Sequence, residues 1–360
     1  MNRLISLDAF RGATMFSMVL VNKGGGPATE RFTPLLHSPW HGWTFADLVF
    51  PAFLWIIGVS IAFSFPRRIE EGLERQRLVL HTIRRTVLLF GLGLILTGIF
   101  QLDFNRIYIT GVLQRIALCY LIGAVIFLYT SWRGQICWIF GIFIAYWLSM
   151  LVFPVPDHGP AVLTPEGNFA RYLDHTLLFG YLTQHEGTDS SGLMGTLSAT
   201  SNVLLGMLCG QYLLRKDLGL QRKAIGICLV GVTFLMIAYL LDPFMLPINK
   251  KLWTPHYVIM TTGFACLGFV CFYWAIEVLN RKDWSKPCVI YGSNAITVYA
   301  ASVVFAKLLS VSGAKGYLLA AFSYSLVHPK VASLLYALIC VSATYALAWY
   351  LYRHKLLLRL

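Results

Sequence analysis

The chain has 360 residues, of which 57% are hydrophobic and only 12% charged, and its mean hydropathy is +0.66. A charged share about half that of a soluble globular domain excludes the two or three soluble domains that length alone would suggest. The formal charge of +13 has no soluble basic domain to carry it. Nucleic-acid binding is therefore set aside, and orientation in a lipid bilayer takes its place as the explanation.

Lipid offers the backbone no hydrogen-bond partners, so helices are the natural spanning elements. The apolar runs are about as long as a helix needs to cross ~30 Å of hydrocarbon, and the alternating segments of a β-barrel are absent. The fold class is all-α: a polytopic integral membrane helical bundle of about ten transmembrane helices, read as a single domain over 1–360. In chain order the predicted spans are 4–22, 44–65, 82–100, 110–130, 135–153, 193–214, 224–242, 256–279, 288–310 and 331–352. The apolar stretch 316–327 is too short to cross and reads as a re-entrant or interfacial piece. The first run carries Asp8 and Arg11 and lacks a small-residue cleavage site, so a retained span is expected there, not a signal peptide.

Lysine and arginine orient the bundle. With the N-terminus inside, eighteen of the 29 basic residues fall in inner segments and eight outside: Lys23, Arg31, Arg106, Arg171, Lys250, Lys251, Lys315 and Lys330. Both termini are then cytoplasmic, and the loops 23–43 and 154–192 lie outside. No Asn-x-Ser/Thr acceptor occurs, which favours a bacterial inner membrane over a eukaryotic lumen.

Polar groups within apolar runs mark the places to look for function. Asp8 and Arg11, at i and i+3, can neutralise each other near the inner end of the first span. Asn22 closes that span at its outer end, ahead of Gly24-Gly25-Gly26. The loop then runs His37-Ser38-Pro39-Trp40-His41-Gly42-Trp43-Thr44 into the second span, whose first turn holds Asp47. Gln114 and Arg115 enter the fourth span at the same depth, where Arg115 could bind a carboxylate, a phosphate or a carbonyl oxygen, or pair with Asp47. The 154–192 loop holds Asp157, Glu166, Asp174, Glu186 and Asp189 against Arg171 alone, and could cover a sugar or amine or be a solvated cap. Asn202 and Asn294 suggest interhelical hydrogen bonds, and the sets Gly91/Gly93/Gly98 and Gly206/Gly210 suggest close helix packing. The eight cysteines, none in a CxxC pair, read as small apolar helix residues.

Imidazole is available as base or nucleophile near neutral pH. His37 could take a proton from an amine or hydroxyl attacking a thioester, or accept the acyl group itself. Either route needs a donor such as Asn22 to hold the developing oxyanion. No metal is expected, because Pro39 between His37 and His41 disfavours the helix that would align them. Trp40 and Trp43 fit an interface belt, and aromatic rings also stack on sugars.

Arg3-Leu4-Ile5-Ser6-Leu7-Asp8-Ala9-Phe10-Arg11-Gly12, Val21-Asn22-Lys23-Gly24-Gly25-Gly26 and the run from His37 to Pro51 together resemble the transmembrane acyltransferase family. This is the family of heparan-α-glucosaminide N-acetyltransferases and bacterial NagX-like proteins. Gly111-Val112-Leu113-Gln114-Arg115-Ile116, Gly195-Thr196-Leu197 and, more loosely, Tyr291-Gly292-Ser293-Asn294-Ala295-Ile296 continue the likeness over most of the chain. The resemblance implies an N-acetyltransferase that draws acetyl-CoA from the cytoplasm and acetylates the amine of an amino sugar on the other side. It implies His37 and Asn22 as catalytic residues. Trp40, His41, Asp47, Gln114 and Arg115 are candidate acceptor contacts, and Asp8, Arg11 and Asn294 are candidates for the donor. His41 stands where the lysosomal pattern has asparagine, so sugar specificity is expected to differ, and the lysosomal members carry a further luminal region and one more span. A homodimer is compatible with this reading. The rival reading is an amino-sugar transporter of the inner membrane, although no internal repeat is visible.

Overall fold

A computed structural model describes residues 4–98, 108–178, 188–189, 191–242, 246–324 and 328–356. It is all-α among these residues. The helices are α1 Ile5–Asn22, α2 Phe45–Glu70, α3 Arg75–Gly98, α4 Val112–Tyr129, α5 Trp132–Val152, α6 Phe169–Leu178, α7 Leu193–Leu213, α8 Leu220–Leu241, α9 Pro255–Tyr273, α10 Lys286–Ser293, α11 Ala295–Val311, α12 Ala314–Tyr324 and α13 Pro329–Arg353. Eight of the described helices are long and apolar enough to cross a membrane, or nine if α10 and α11 count as one broken span. The first predicted span, α1, is an 18-residue helix that carries Asp8 and Arg11. Among the sequence expectations, Arg3, Arg106, Glu186 and Arg359 lie outside the described residues.

The chain divides into two compact units. The first comprises Met1–Ser38, Trp43–Phe53 and Gly268–Leu360; the second comprises Pro39–Gly42 and Leu54–Leu267.

In the first unit α1 rests on α10 through two glycines. A Cβ on Gly12 would sit 1.7 Å from the Cys288 carbonyl oxygen, and one on Gly292 would sit 2.4 Å from that of Asp8. No side chain fits in either gap, so the Asp8–Gly12 and Tyr291–Asn294 segments of the sequence are packed backbone to backbone. Phe10 fills the flank, its ring centroid 6.0 Å from that of Phe269 and 5.7 Å from that of Phe272. Glu277, in the π-helical turn that follows α9, accepts the Ser6 N–H at 3.1 Å and so caps the start of α1. The apolar run read as one span over 288–310 is two helices bent by 70° at Asn294. The break has a visible cause: Asn294 leaves the helical region at φ −125° and ψ 42°, and its side-chain amide donates to the Leu356 carbonyl at 3.3 Å. The helix α12 overlaps the described part of the short apolar stretch 316–327, beginning two residues before it.

In the second unit α7 is the buried centre, and it meets the part of α2 from Trp55 onward at glycines. Gly58 abuts the Val203 carbonyl, Gly206 the Trp55 carbonyl, and Gly210 the Ala62 methyl. The Gly206/Gly210 pair thus permits the close backbone approach its spacing suggests. Of the other set, Gly93 has a tight neighbour, but Gly91 and Gly98 face open space. Asn202 joins α7 to α9, donating to the Thr261 and Thr262 hydroxyls at 3.3 and 3.2 Å and accepting from the Trp253 indole N–H at 3.0 Å. Leucines, isoleucines and aromatics of α5 and α8 are exposed, as expected of surfaces that face lipid. All eight cysteines are free thiols.

Candidate active site

Asp47 is the fixed point of the His37 loop. Thr44 precedes the first residue of α2, and Asp47 lies in the helix's first turn, the Thr-x-x-Asp arrangement of a capping box. Its Oδ2 accepts the Thr44 N–H at 3.0 Å, the Thr44 hydroxyl at 3.2 Å and the Ser38 N–H at 3.0 Å. The other oxygen, Oδ1, lies 2.8 Å from His37 Nδ1. Asp47 is 0% exposed, whereas the His37 side chain is 46% exposed. A buried carboxylate with one oxygen saturated by donors can only accept at the other, which places the imidazole proton on Nδ1 and the basic lone pair on Nε2. Asp47, expected as an acceptor contact, is therefore the group that sets the tautomer of His37.

The glycine triplet is tied down rather than loose. Arg31 donates to the Gly26 carbonyl at 2.8 Å and the Gly25 carbonyl at 3.4 Å, and Ser333 of α13 donates to the Gly25 carbonyl at 2.6 Å. Gly26 has φ +72°, a conformation that favours glycine. Asn22 is the last residue of α1 and is exposed. Its side chain makes no hydrogen bond among the described residues, so the carboxamide is available to a ligand. Lys23, which the sequence reading counted only as an outer charge, is half-buried; burial lowers its pKa, opposed by the Cys340 thiol.

At the other end of α1, Arg11 Nη1 pairs with Asp8 Oδ1 at 3.0 Å. The expected mutual neutralisation is present. Asn294 is buried next to Ser293 and the Leu356 carbonyl.

Within the second unit, Trp40 is an anchor. Its indole N–H donates to the Leu163 carbonyl at 2.9 Å, and its ring packs on a cluster that includes Tyr146, Met150 and Leu252. His41 Nδ1 lies 3.4 Å from the Asn249 side-chain amide, and the next residue, Gly42, donates to the Ile248 carbonyl at 2.8 Å. Burial lowers the pKa of His41, with Asp242 opposing.

Gln114 is wedged between Gly93 and Gly111, where a Cβ on either would come within 2.5 Å of its Oε1. Arg115 is 1% exposed. It donates to the Gly192 carbonyl and the Thr196 hydroxyl, each at 3.2 Å, and lies over the Trp253 ring at 4.6 Å. The 154–192 loop is a packed element in its described parts. Asn168 opens α6 by accepting the Arg171 N–H at 2.9 Å, and Asp174 of α6 accepts the Leu193 N–H at 2.8 Å. This carboxylate caps the positive N-terminus of α7 from another helix. Asp174 and Asp189 are buried, while Asp157 and Glu166 are exposed.

Burial raises the Asp174 pKa from its ordinary 3.8 to about 7; Asp189 adds to the rise, and the Leu193 N–H and Arg115 oppose it. Between these two values the folded protein holds a proton that the unfolded chain has lost. Stability is therefore expected to fall as pH rises from about 4 to 7 and then to level off. Asp174→Asn keeps an oxygen for Leu193 and should flatten that decline. Melting curves of the detergent-solubilised protein from pH 5 to 8 read the difference, and parallel profiles would contradict this account.

Among the described residues, no three or more His, Cys, Asp or Glu side chains gather where they could hold a metal ion. The arrangement is that of an all-α polytopic membrane protein with a tautomer-fixed histidine in a loop at one end of a helix. Residues 3–244 match the family model described as Heparan-alpha-glucosaminide N-acetyltransferase, catalytic, and the chain belongs to that family. It is 29% identical over 355 residues to heparan-alpha-glucosaminide N-acetyltransferase of Mus musculus, covering 83% of this chain and 53% of that protein. Against the Homo sapiens protein of the same name it is 28% identical over 361 residues, covering 84% and 53%. The chain thus spans about half the length of the curated relatives it matches.

Proposed function

We propose that this protein transfers an acetyl group from acetyl-CoA to the amine of an amino sugar, with His37 at the reacting centre. The observation that carries the proposal is the His37–Asp47 pair, which leaves Nε2 as a base. In this reading the amine nitrogen attacks the thioester carbonyl as Nε2 takes its proton. The C–N bond forms, the C–S bond breaks and the CoA thiolate departs. Asn22, exposed beside the same loop, donates to the carbonyl oxygen as negative charge develops there. A two-step variant has His37 accept the acetyl group first.

The donor's place is the opposite end of α1. Arg11, with Asp8 beside it, offers a cation to the phosphates of CoA, and Asn294 offers an amide on the adjoining α10–α11 bend. In this reading that end faces the cytoplasm and the His37 loop lies outside, which the Lys/Arg bias of the sequence supports. The names of the relatives favour acetyl transfer over transport.

Proteoliposomes test this directly. With labelled acetyl-CoA on the side of the Arg11 end and glucosamine on the other, N-acetylglucosamine should accumulate on the glucosamine side. Uptake of unmodified sugar without acetyl-CoA, or product formed only when both substrates share one side, would overturn the reading. A brief exposure to donor alone, followed by mass spectrometry of the His37 peptide, separates the one-step from the two-step route.

A further inference from the structure

Beside the His37 loop, and wholly within the first unit, lies a shallow cleft whose lining includes the polar residues Arg31, Lys330 and Ser333. Its apolar lining residues include Leu20, Phe32 and Leu334. The wall also includes Val21 and Gly24, which flank Asn22 and Lys23, and Leu35, two residues before His37. The cleft is too small to enclose a sugar, so its cations can only meet a group presented at its mouth. No carboxylate lines it. Glu30, the only acid between Asn22 and Thr44, is turned towards Gly26. Arg31 uses Nε and Nη2 on the two glycine carbonyls, and neither its Nη1 nor the Lys330 ammonium has a partner among the described residues. Lys23 and Lys315 add further positive charge nearby, both close to Cys340 of α13.

We propose that this cleft is an anion subsite of the acceptor, holding a phosphate carried by the amino sugar whose amine is presented to His37. Two cations with donors to spare suit a group of charge near −2 better than a single carboxylate. The phosphate could belong to a soluble sugar phosphate or to a lipid-linked one, and the apolar lining residues are compatible with either. This inference rests on the acetyl-transfer reading for its chemistry, though not for its binding site.

The test uses the full chain in nanodiscs with acetyl-CoA and compares glucosamine, glucosamine 6-phosphate and glucosamine 1-phosphate with a polyprenyl-phosphate-linked glucosamine. At least one phosphorylated acceptor should show kcat/KM tenfold or more above glucosamine, and that advantage should shrink as salt is raised. The soluble and lipid-linked arms identify the carrier. Lys330→Glu should cut the ratio of phosphorylated to neutral kcat/KM at least tenfold, Arg31→Gln should also lower it, and Lys330→Arg should preserve it. A purely structural role would move both acceptors together. Equal use of neutral and phosphorylated acceptors by the unaltered protein, or a ratio unmoved by Lys330→Glu, would overturn the subsite. If no acceptor is acetylated, calorimetry with glucosamine 6-phosphate decides. Binding lost in Lys330→Glu keeps the subsite and sinks the acetyl-transfer reading, whereas binding that is absent or unaffected sinks the subsite.

Discussion

Replacing His37 with alanine should reduce acetyl transfer by about 10³-fold or more while leaving the helices folded, because the proposed role of the imidazole is chemical and its one cost to the fold is the lost partner of Asp47 Oδ1. His37 is half exposed and sits in a loop, so its removal opens no cavity. The sharper experiment is Asp47→Asn. The Ser38 and Thr44 N–H groups will hold the amide oxygen of the asparagine, as they hold Oδ2 now. Its NH₂ must then face His37 Nδ1, which becomes an acceptor and moves the ring proton to Nε2. That is the wrong tautomer for a base, and a loss of about 10²–10⁴ in kcat is expected with the loop intact. Turnover measured with acetyl-CoA and glucosamine, alongside melting curves, checks both variants. Activity within a few-fold of the original in either would remove His37 from the reacting centre.

Arg115→Met carries the largest expected cost to stability. The guanidinium satisfies the Gly192 carbonyl and the Thr196 hydroxyl and lies on the Trp253 ring. It is also the positive charge near the buried acids Asp174 and Asp189. Removing one partner from such a buried set leaves the others uncompensated, at about 3–5 kcal/mol. The expected result is a protein that fails to accumulate in the membrane, or that melts far below the original in detergent. Arg115→Lys should rescue little, since an ammonium can neither stack on the indole nor keep the planar geometry of the two bonds. A variant of either kind with an unchanged melting curve would contradict this role.

These two residues show what the sequence makes legible. The apolar runs are local signals, so helices stand close to where the sequence places them, and the histidine loop ahead of Asp47 at the start of α2 is legible too. Pairings are non-local and were not. Arg115 was left open between Asp47 and several ligands, whereas its hydrogen-bond partners come from α7 and the residue before it, some 80 positions away. Trp40 looked like an interface or sugar-facing ring because its type suits both, and nothing in the sequence shows that Leu163 takes its N–H. Gly91 and Gly93 have the same surroundings by sequence, yet only Gly93 has a neighbour. The Asp174 cap on α7 gave no sequence signal, since donor and acceptor lie 19 residues apart.

If Asn22 acts as proposed, the contact of Gly12 with α10 carries leverage over it. From Gly12 to Asn22 is ten residues of continuous helix, about 15 Å of stiff rod fulcrummed on a backbone seam too narrow for one methyl group. A tilt of only ~5° at the fulcrum would swing the far tip by more than 1 Å, a misplacement that can cost about a hundredfold in rate. In the proposed mechanism the aim of the Asn22 amide would then depend on a glycine remote from the chemistry.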